Sequence, residues 1–295
     1  MFGTPLGALE KVPHQNVTKG TSGPAPEAPR AGRAGHERPG AEGAKSGKGR
    51  TPGTRRLGPL GRQNGAMGVI TFAHRGGMAH APENTLEAFT KGLALGASGL
   101  ESDVWLSADG QAVLVHDEVF WRGLHRVDVR NQTAEQLARY SIPRLADLFA
   151  TVGNDFELSL DLKDPESAKA TIEVVRDVGV PGRTWLCVGS MKLVTELREA
   201  HDDVRIVHSR RRDKINGSLE THAARLAELG VDAMNMHFTD WSAGLVALFH
   251  RFEVKAFSWD LQQVRHLRDA LAMGIDAVYA NRVDRMVATV AEWSA

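Results

Sequence analysis

The chain has 295 residues, 42% of them hydrophobic, and its 36 basic and 36 acidic side chains give a formal charge of zero. That length suits one large domain or two small ones, and no run approaches the roughly 20 apolar residues that a membrane-spanning helix requires. The one cysteine, Cys187, excludes an internal disulfide and fits a reducing compartment, so a cytoplasmic location is expected.

The zero charge conceals a division near Met67. Residues 1–67 hold 11 basic and 4 acidic side chains, a charge of +7, which leaves −7 for the remainder. This first part is rich in Gly, Pro and Ala and has almost no aliphatic pattern, so it cannot bury enough surface to offset its ordering entropy. A disordered, solvated tail is expected, or an upstream segment preceding a true start at Met67. The opening M-F-G-T-P-L-G-A-L-E-K lacks the basic and then long apolar regions of a secretory signal. Aromatic interleaving and an amphipathic period are missing too, so no nucleic-acid partner is expected.

From Met67 onward, short β-type runs alternate with helical ones, and eight such pairs are counted. V-I-T-F-A-H (69–74) precedes a helix over 85–95, which Asn84-Thr85 is placed to cap. L-E-S-D-V-W-L (100–106) turns at Asp109-Gly110 into Q-A-V-L-V-H (111–116). A polar segment over 118–130 leads to helical runs from Thr133 and over 142–152. Then follow F-E-L-S-L-D-L-K (156–163), W-L-C-V-G-S (185–190), V-R-I-V-H-S (204–209), A-M-N-M-H-F (233–238), V-K-A-F-S-W (254–259) and A-V-Y-A-N (277–281), each with a helix after it. Gly179, Gly230 and Gly274 sit where helices should end. Eight strand-helix units predict a (βα)8 TIM barrel over residues 68–295, with a doubly wound sheet as the alternative.

A barrel exposes side chains at the C-terminal ends of its strands, and ionisable groups gather there. Glu101 and Asp103 are two apart on a strand, so they leave one face roughly 6.6 Å apart along the backbone. Such a pair suits a hard cation, Mg2+ or Ca2+. Asp161 and Lys163 share a face in the same way. Arg75 offers planar donors to phosphate oxygens, and His74 with His116 can exchange protons near neutral pH. Taken singly, an E-x-D on a strand is a common solvated face and a lone histidine is commonly structural. Together they predict metal-assisted cleavage of a phosphoester.

H-R-G (74–76), P-E-N-T (82–85) with Phe89 following, E-S-D-V (101–104), D-G (109–110) and L-V-H-D (114–117) resemble the glycerophosphodiester phosphodiesterase family. The likeness extends over most of 69–293. It implies hydrolysis of glycerophosphodiesters to sn-glycerol 3-phosphate and an alcohol. His74 and His116 would be the base and acid, in either order, on a divalent metal held by Glu101, Asp103 and Asp161 and supported by Glu83. Arg75, Asn84, Lys163 and Trp259 would contact the substrate. Asp161 stands where the family has Glu, and Asn281 where it has an aspartate regarded as peripheral to the metal cluster. The family's cap corresponds to 118–130, which is brief here and carries Phe120, Trp121 and Leu124 among Arg122, His125, Arg126 and Arg130. A short cap implies an open mouth, with room for a lysophospholipid as well as a small diester; these side chains packing on the barrel rim is the plainer alternative. Two rival functions are a phospholipase of the sphingomyelinase D type acting on lysophospholipids, and a non-catalytic barrel binding protein.

Overall fold

The computed structural model describes residues 68–295; the expected disordered tail, 1–67, lies outside the described residues. The β-runs read from the sequence are short, apolar on both faces and separated by amphipathic helices, which is the pattern of strands buried in a parallel sheet. The elements in chain order are β1 (Ile70–Ala73), α1 (Leu86–Ala94), β2 (Gly99–Leu106), β3 (Ala112–Leu114), β4 (Val119–Arg122), β5 (His125–Asp128), α2 (Ala134–Ala138), α3 (Leu145–Val152), β6 (Glu157–Leu162), α4 (Ser167–Asp177), β7 (Thr184–Val188), α5 (Met191–Ala200), β8 (Arg205–Ser209), α6 (Leu219–Glu228), β9 (Ala233–His237), α7 (Ala243–Arg251), β10 (Lys255–Trp259), α8 (Val264–Met273), β11 (Ala277–Ala280) and α9 (Val283–Ser294). Strands β1, β2, β6, β7, β8, β9, β10 and β11 pair in parallel in that order, and β1 closes on β11, giving the (βα)8 barrel.

The period of two sorts the side chains of each strand. On β7, Trp185 and Cys187 join Phe72, Phe257 and Tyr279 in the lumen, while Leu186 and Val188 pack outward beneath the helices. Phe72 stacks on Tyr279 at 4.7 Å between centroids, and Trp185 meets Phe257 edge-on at 4.9 Å. Over this apolar plug, the Ser159 hydroxyl lies 3.0 Å from the Tyr279 hydroxyl and 3.3 Å from Cys187 Sγ. Burial pushes the Cys187 thiol up, so it stays protonated and inert.

Helix starts follow the expected chemistry. Thr85 caps α1 by accepting the Ala88 N–H, and Ser190, Ser218 and Ser242 cap α5, α6 and α7 in the same way. Gly179, Gly230 and Gly274 take positive φ behind their helices. One segment differs from its reading. Residues 118–130 are not merely polar: β4 and β5 form an antiparallel hairpin around a Gly123-Leu124 turn. Its inner face supplies the reason. Phe120 packs edge-on to Tyr140 at 5.7 Å, and Val127, opposite it, is buried in a small satellite cluster. Among the described residues, no helix is long and apolar enough to cross a membrane.

Candidate active site

β1 runs directly into a single 3-10 turn, His74–Gly76, folded tightly against α1. A side chain at Gly76 would place its Cβ 2.8 Å from Ala88 Cβ, so only glycine lets the turn approach the helix. Arg75 takes φ +50 and Asn84 φ +55, the left-handed region that ordinary side chains rarely adopt. Backbone strain of this kind persists where surrounding contacts over-determine it. The Arg75 N–H donates to Glu101 Oε2 at 2.8 Å, and the Asn84 N–H donates to the Arg75 carbonyl at 3.0 Å.

Sheet register assembles the carboxylates. Glu101 and Asp103 leave the same face of β2, and Asp103 pairs directly with Asp161 of β6. Ala73 pairs with Leu100, which brings His74 beside Glu101, its Nε2 3.8 Å from Oε2. Two cations are threaded among these acids. Lys163 Nζ lies 2.6 Å from Asp161 Oδ2 and 3.2 Å from Asp103 Oδ1. Arg75 Nε is 3.3 Å from Asp103 Oδ2, and its Nη1 donates to Glu83 Oε2 at 2.8 Å. Burial and then the neighbouring Asp103 push the Glu101 carboxyl well above the usual range. Burial also raises Asp161, against the opposing pull of Lys163. Burial works against the Lys163 ammonium, but Asp161 and Asp103 more than compensate and hold its pKa above the ordinary value.

The histidines are each tied at one nitrogen. His74 Nδ1 is 2.7 Å from Asn281 Oδ1; a carboxamide oxygen can only accept, so Nδ1 carries the proton and Nε2 the lone pair. Burial and then the Arg75 charge depress the His74 pKa, so its ring is neutral at neutral pH. His116 Nδ1 lies 2.7 Å from Asp117 Oδ1. The loop carrying it is pinned to β2, because the Trp105 indole donates to the His116 carbonyl at 3.1 Å and the Val115 N–H to the Asp103 carbonyl at 3.0 Å.

Of the expected site residues, His74, Arg75, Glu83, Glu101, Asp103, Asp161 and Lys163 form one connected network, with His116 on the loop between β3 and β4. Asn84, expected as a substrate contact, borders the groove beside Glu83. It is only 3% exposed, and its carboxamide is used internally, donating to Asp103 Oδ2 at 3.1 Å and accepting from Ser102 Oγ at 2.7 Å. Trp259 stands at the end of β10, half-buried and edge-on to His237 at 4.6 Å. Three supporting residues were missed or undervalued. Ser102 and Asp117 lie inside E-S-D-V and L-V-H-D but were given no role there, and Asn281, regarded only as peripheral to the metal cluster, orients His74. The available signal was that a catalytic imidazole needs a partner on its second nitrogen.

Among the described residues, no three His, Cys, Asp or Glu side chains converge as a ready-made metal cage. Lys163 and Arg75 occupy the oxygens of Asp103 and Asp161 instead. The chemistry of the donors nevertheless fits a divalent cation. Glu83, Glu101, Asp103 and Asp161 face only Arg75 and Lys163, an excess of two negative charges, and the carboxyls of Glu101 and Asp161 already bind protons more tightly than usual. Beside Glu83 and His116 opens a groove of about 790 Å³ with an apolar wall of Leu86, Leu114, Phe120, Tyr140 and Ile142.

The family model described as the glycerophosphoryl diester phosphodiesterase family matches residues 74–285. A glycerophosphodiester phosphodiesterase of Caldanaerobacter subterraneus subsp. tengcongensis is 33% identical over 112 residues, 33% of this chain and 46% of that protein. A probable glycerophosphodiester phosphodiesterase 2 of Mycobacterium tuberculosis is 34% identical over 127 residues, 40% of this chain and 48% of that protein. The chain thus spans under half the length of these curated relatives. A solved glycerophosphodiester phosphodiesterase of Thermotoga maritima superposes with a TM-score of 0.67 at 26% identity, covering 75% of this chain and 97% of that one. An Oleispira antarctica phosphodiesterase, solved with the product sn-glycerol-3-phosphate, superposes with a TM-score of 0.66 at 19% identity, covering 76% and 97%.

Proposed function

The chain belongs to the glycerophosphoryl diester phosphodiesterase family, and from that membership we propose that it hydrolyses glycerophosphodiesters to sn-glycerol 3-phosphate and an alcohol. The observation that carries the proposal is the register of β2 and β6, which sets Asp103 beside Asp161 with Lys163 between them and Arg75 against Asp103. Lys163 has three donors and uses two on carboxylates, so one remains for a phosphate oxygen; Arg75 likewise keeps N–H donors beyond the one given to Glu83. These two cations would clamp the phosphate. His74 Nε2, unprotonated because Nδ1–H is held by Asn281, would take the proton from the attacking hydroxyl, either water or the neighbouring glycerol hydroxyl. The attacking oxygen bonds to phosphorus as the bond to the alcohol breaks, and His116 would deliver a proton to the departing alkoxide; with the glycerol hydroxyl as attacker the product would be a cyclic phosphodiester, which water would then open to glycerol 3-phosphate. A divalent cation, Mg2+ or Ca2+, held by Glu101, Asp103 and Asp161 would neutralise charge developing on the phosphate oxygens. The buried lone cysteine suits a reducing, cytoplasmic location.

A second reading of the substrate, a lysophospholipid, is favoured by the groove, whose apolar wall would accept a hydrocarbon chain beside the phosphate site. Glycerol 3-phosphate release should be assayed on glycerophosphocholine and glycerophosphoethanolamine, and lysophosphatidate release on a lysophospholipid, with and without chelator. Release from none of them would refute the assignment, and full turnover in excess chelator would refute the metal.

A further inference from the structure

Four large hydrophobic side chains are exposed among the described residues: Leu95, Trp121, Leu124 and Trp293. Leu95 and Trp293 lie at the C-terminal ends of α1 and α9, and those helices run back towards the bottom of the barrel. Trp121, 65% exposed, and Leu124, 94% exposed, are three residues apart at the tip of the β4–β5 hairpin. Scattered apolar residues on a surface need no explanation, but an exposed pair on a projecting turn does. Leu124 packs on nothing, and Trp121 only edges the groove while staying largely exposed. Phe120 and Val127 on the inner face already anchor the hairpin, and Trp121 with its cross-strand partner Arg126 lies on the opposite face.

The tip is net basic. Residues 119–128 contain Arg122, His125 and Arg126 against one acid, Asp128, which lies 3.6 Å from Arg126, although residues 68–295 as a whole carry −7. Arg122, His125 and Arg126 are all exposed. An indole, a leucine and two guanidiniums on one small protrusion are the chemistry of a lipid-water interface, where the apolar parts enter the acyl boundary and the arginines meet anionic headgroups. The location fits too, because β4 also borders the apolar groove that opens beside His116.

We propose that the β4–β5 tip docks this protein on an anionic lipid surface, with Trp121 and Leu124 inserted at the interface and Arg122 and Arg126 on the headgroups. The inference stands whether or not the diesterase reading holds, because its readout is binding. The full chain should be sedimented with vesicles of phosphatidylcholine, with and without phosphatidylserine, beside the variants Trp121→Ser/Leu124→Ser and Arg122→Gln/Arg126→Gln. Residues 1–67, with their charge of +7, are present in every protein compared, so differences between variants report on the tip. The arginine pair should weaken partitioning onto phosphatidylserine vesicles by about fivefold per residue and leave neutral vesicles unaffected. The Trp/Leu pair should weaken it by about tenfold or more on the anionic vesicles. Melting curves check that the variants fold, and Leu124→Ser alone supplies a version that removes no internal contact. Partitioning within twofold of wild type for both pairs, or a tip that controls self-association in the absence of lipid, would overturn the proposal.

Discussion

Asn84 offers the sharpest test of how the site is held. Replacing it with alanine removes the only hydrogen bond that the Ser102 hydroxyl, which is fully buried, makes among the described residues, and an orphaned buried hydroxyl costs about 1–3 kcal/mol. Asp103 Oδ2 loses its hydrogen-bond donor but keeps the ion pair with Arg75 Nε at 3.3 Å, so no second orphan is counted. Alanine at φ +55 adds roughly 1 kcal/mol, because it lacks the tolerance of asparagine for left-handed backbone. The sum is about 2–4 kcal/mol, or a melting temperature lower by roughly 4–16 °C for a domain of this size. Asn84→Gly should be less harmful than Asn84→Ala, since it relieves the backbone while leaving Ser102 unpaired. Asn84→Gly/Ser102→Ala should recover most of the loss. Turnover should fall about 10- to 100-fold in all three, because a carboxylate that loses its orienting partner no longer holds its angle. Thermal melts and diester assays on the series check this. An Asn84→Ala protein that melts within 1 °C of wild type, or a double variant no better than Asn84→Gly, would refute the reasoning.

Three further outcomes are expected. A carboxyl whose folded pKa is raised favours folding as pH falls, so ionised Glu101 destabilises the protein at pH 8; Glu101→Gln should melt higher there, lose activity, and lose the stabilisation by Mg2+ or Ca2+ that calorimetry should detect in wild type. His208 is buried, and burial with the neighbouring His222 lowers its pKa to about 4; the unfolded chain takes up a proton below about pH 6.5 that the folded one refuses until about pH 4, so about 3 kcal/mol is lost across that window, and denaturant titrations of His208→Gln should show a flatter acid limb. The kcat/KM profile should be bell-shaped with its acid limb below about pH 6.5, set by His74, and Asn281→Asp should move that limb upward, while a p-nitrophenyl leaving group should rescue His116→Ala and not His74→Ala.

The barrel was legible because its signal is repetitive. Eight alternations of apolar strand and amphipathic helix leave little choice of architecture, and the glycines behind the helices punctuate it. The ionisable site residues were legible because their spacing of two on β2 and β6 survives folding unchanged. What sequence left hidden depends on contacts across the barrel. Asn281 reaches His74 over 207 positions of sequence, and the hydrogen bonds that tie Asn84 to Ser102 and Asp103 form only once the turn at Arg75 brings it against β2. The hairpin escaped notice because Arg122, His125 and Arg126 mask the alternation that Phe120 and Val127 would have revealed.

The acids at the barrel mouth are held together by what lies beneath them. Glu101, Asp103 and Asp161 rise from strands whose lower residues close on the interlocked rings of Phe72, Trp185, Phe257 and Tyr279. Such a plug is as dense as a crystal, so the strand ends cannot spread to relieve repulsion above it. Asp103 and Asp161 are further bound by register, since separating them would break the β2–β6 ladder from Gly99 to Val104. The remaining ways to lower the energy are to bind protons, as the raised Glu101 and Asp161 carboxyls do, or to bind cations, as Lys163 and Arg75 do. A phosphodiester would bring a further negative charge and draw on those same two cations. The site would then demand more positive charge with substrate than without it, and the rigid floor would prevent it from meeting that demand by moving apart. On this reasoning a divalent ion and the phosphate should bind with positive coupling, each tighter in the presence of the other.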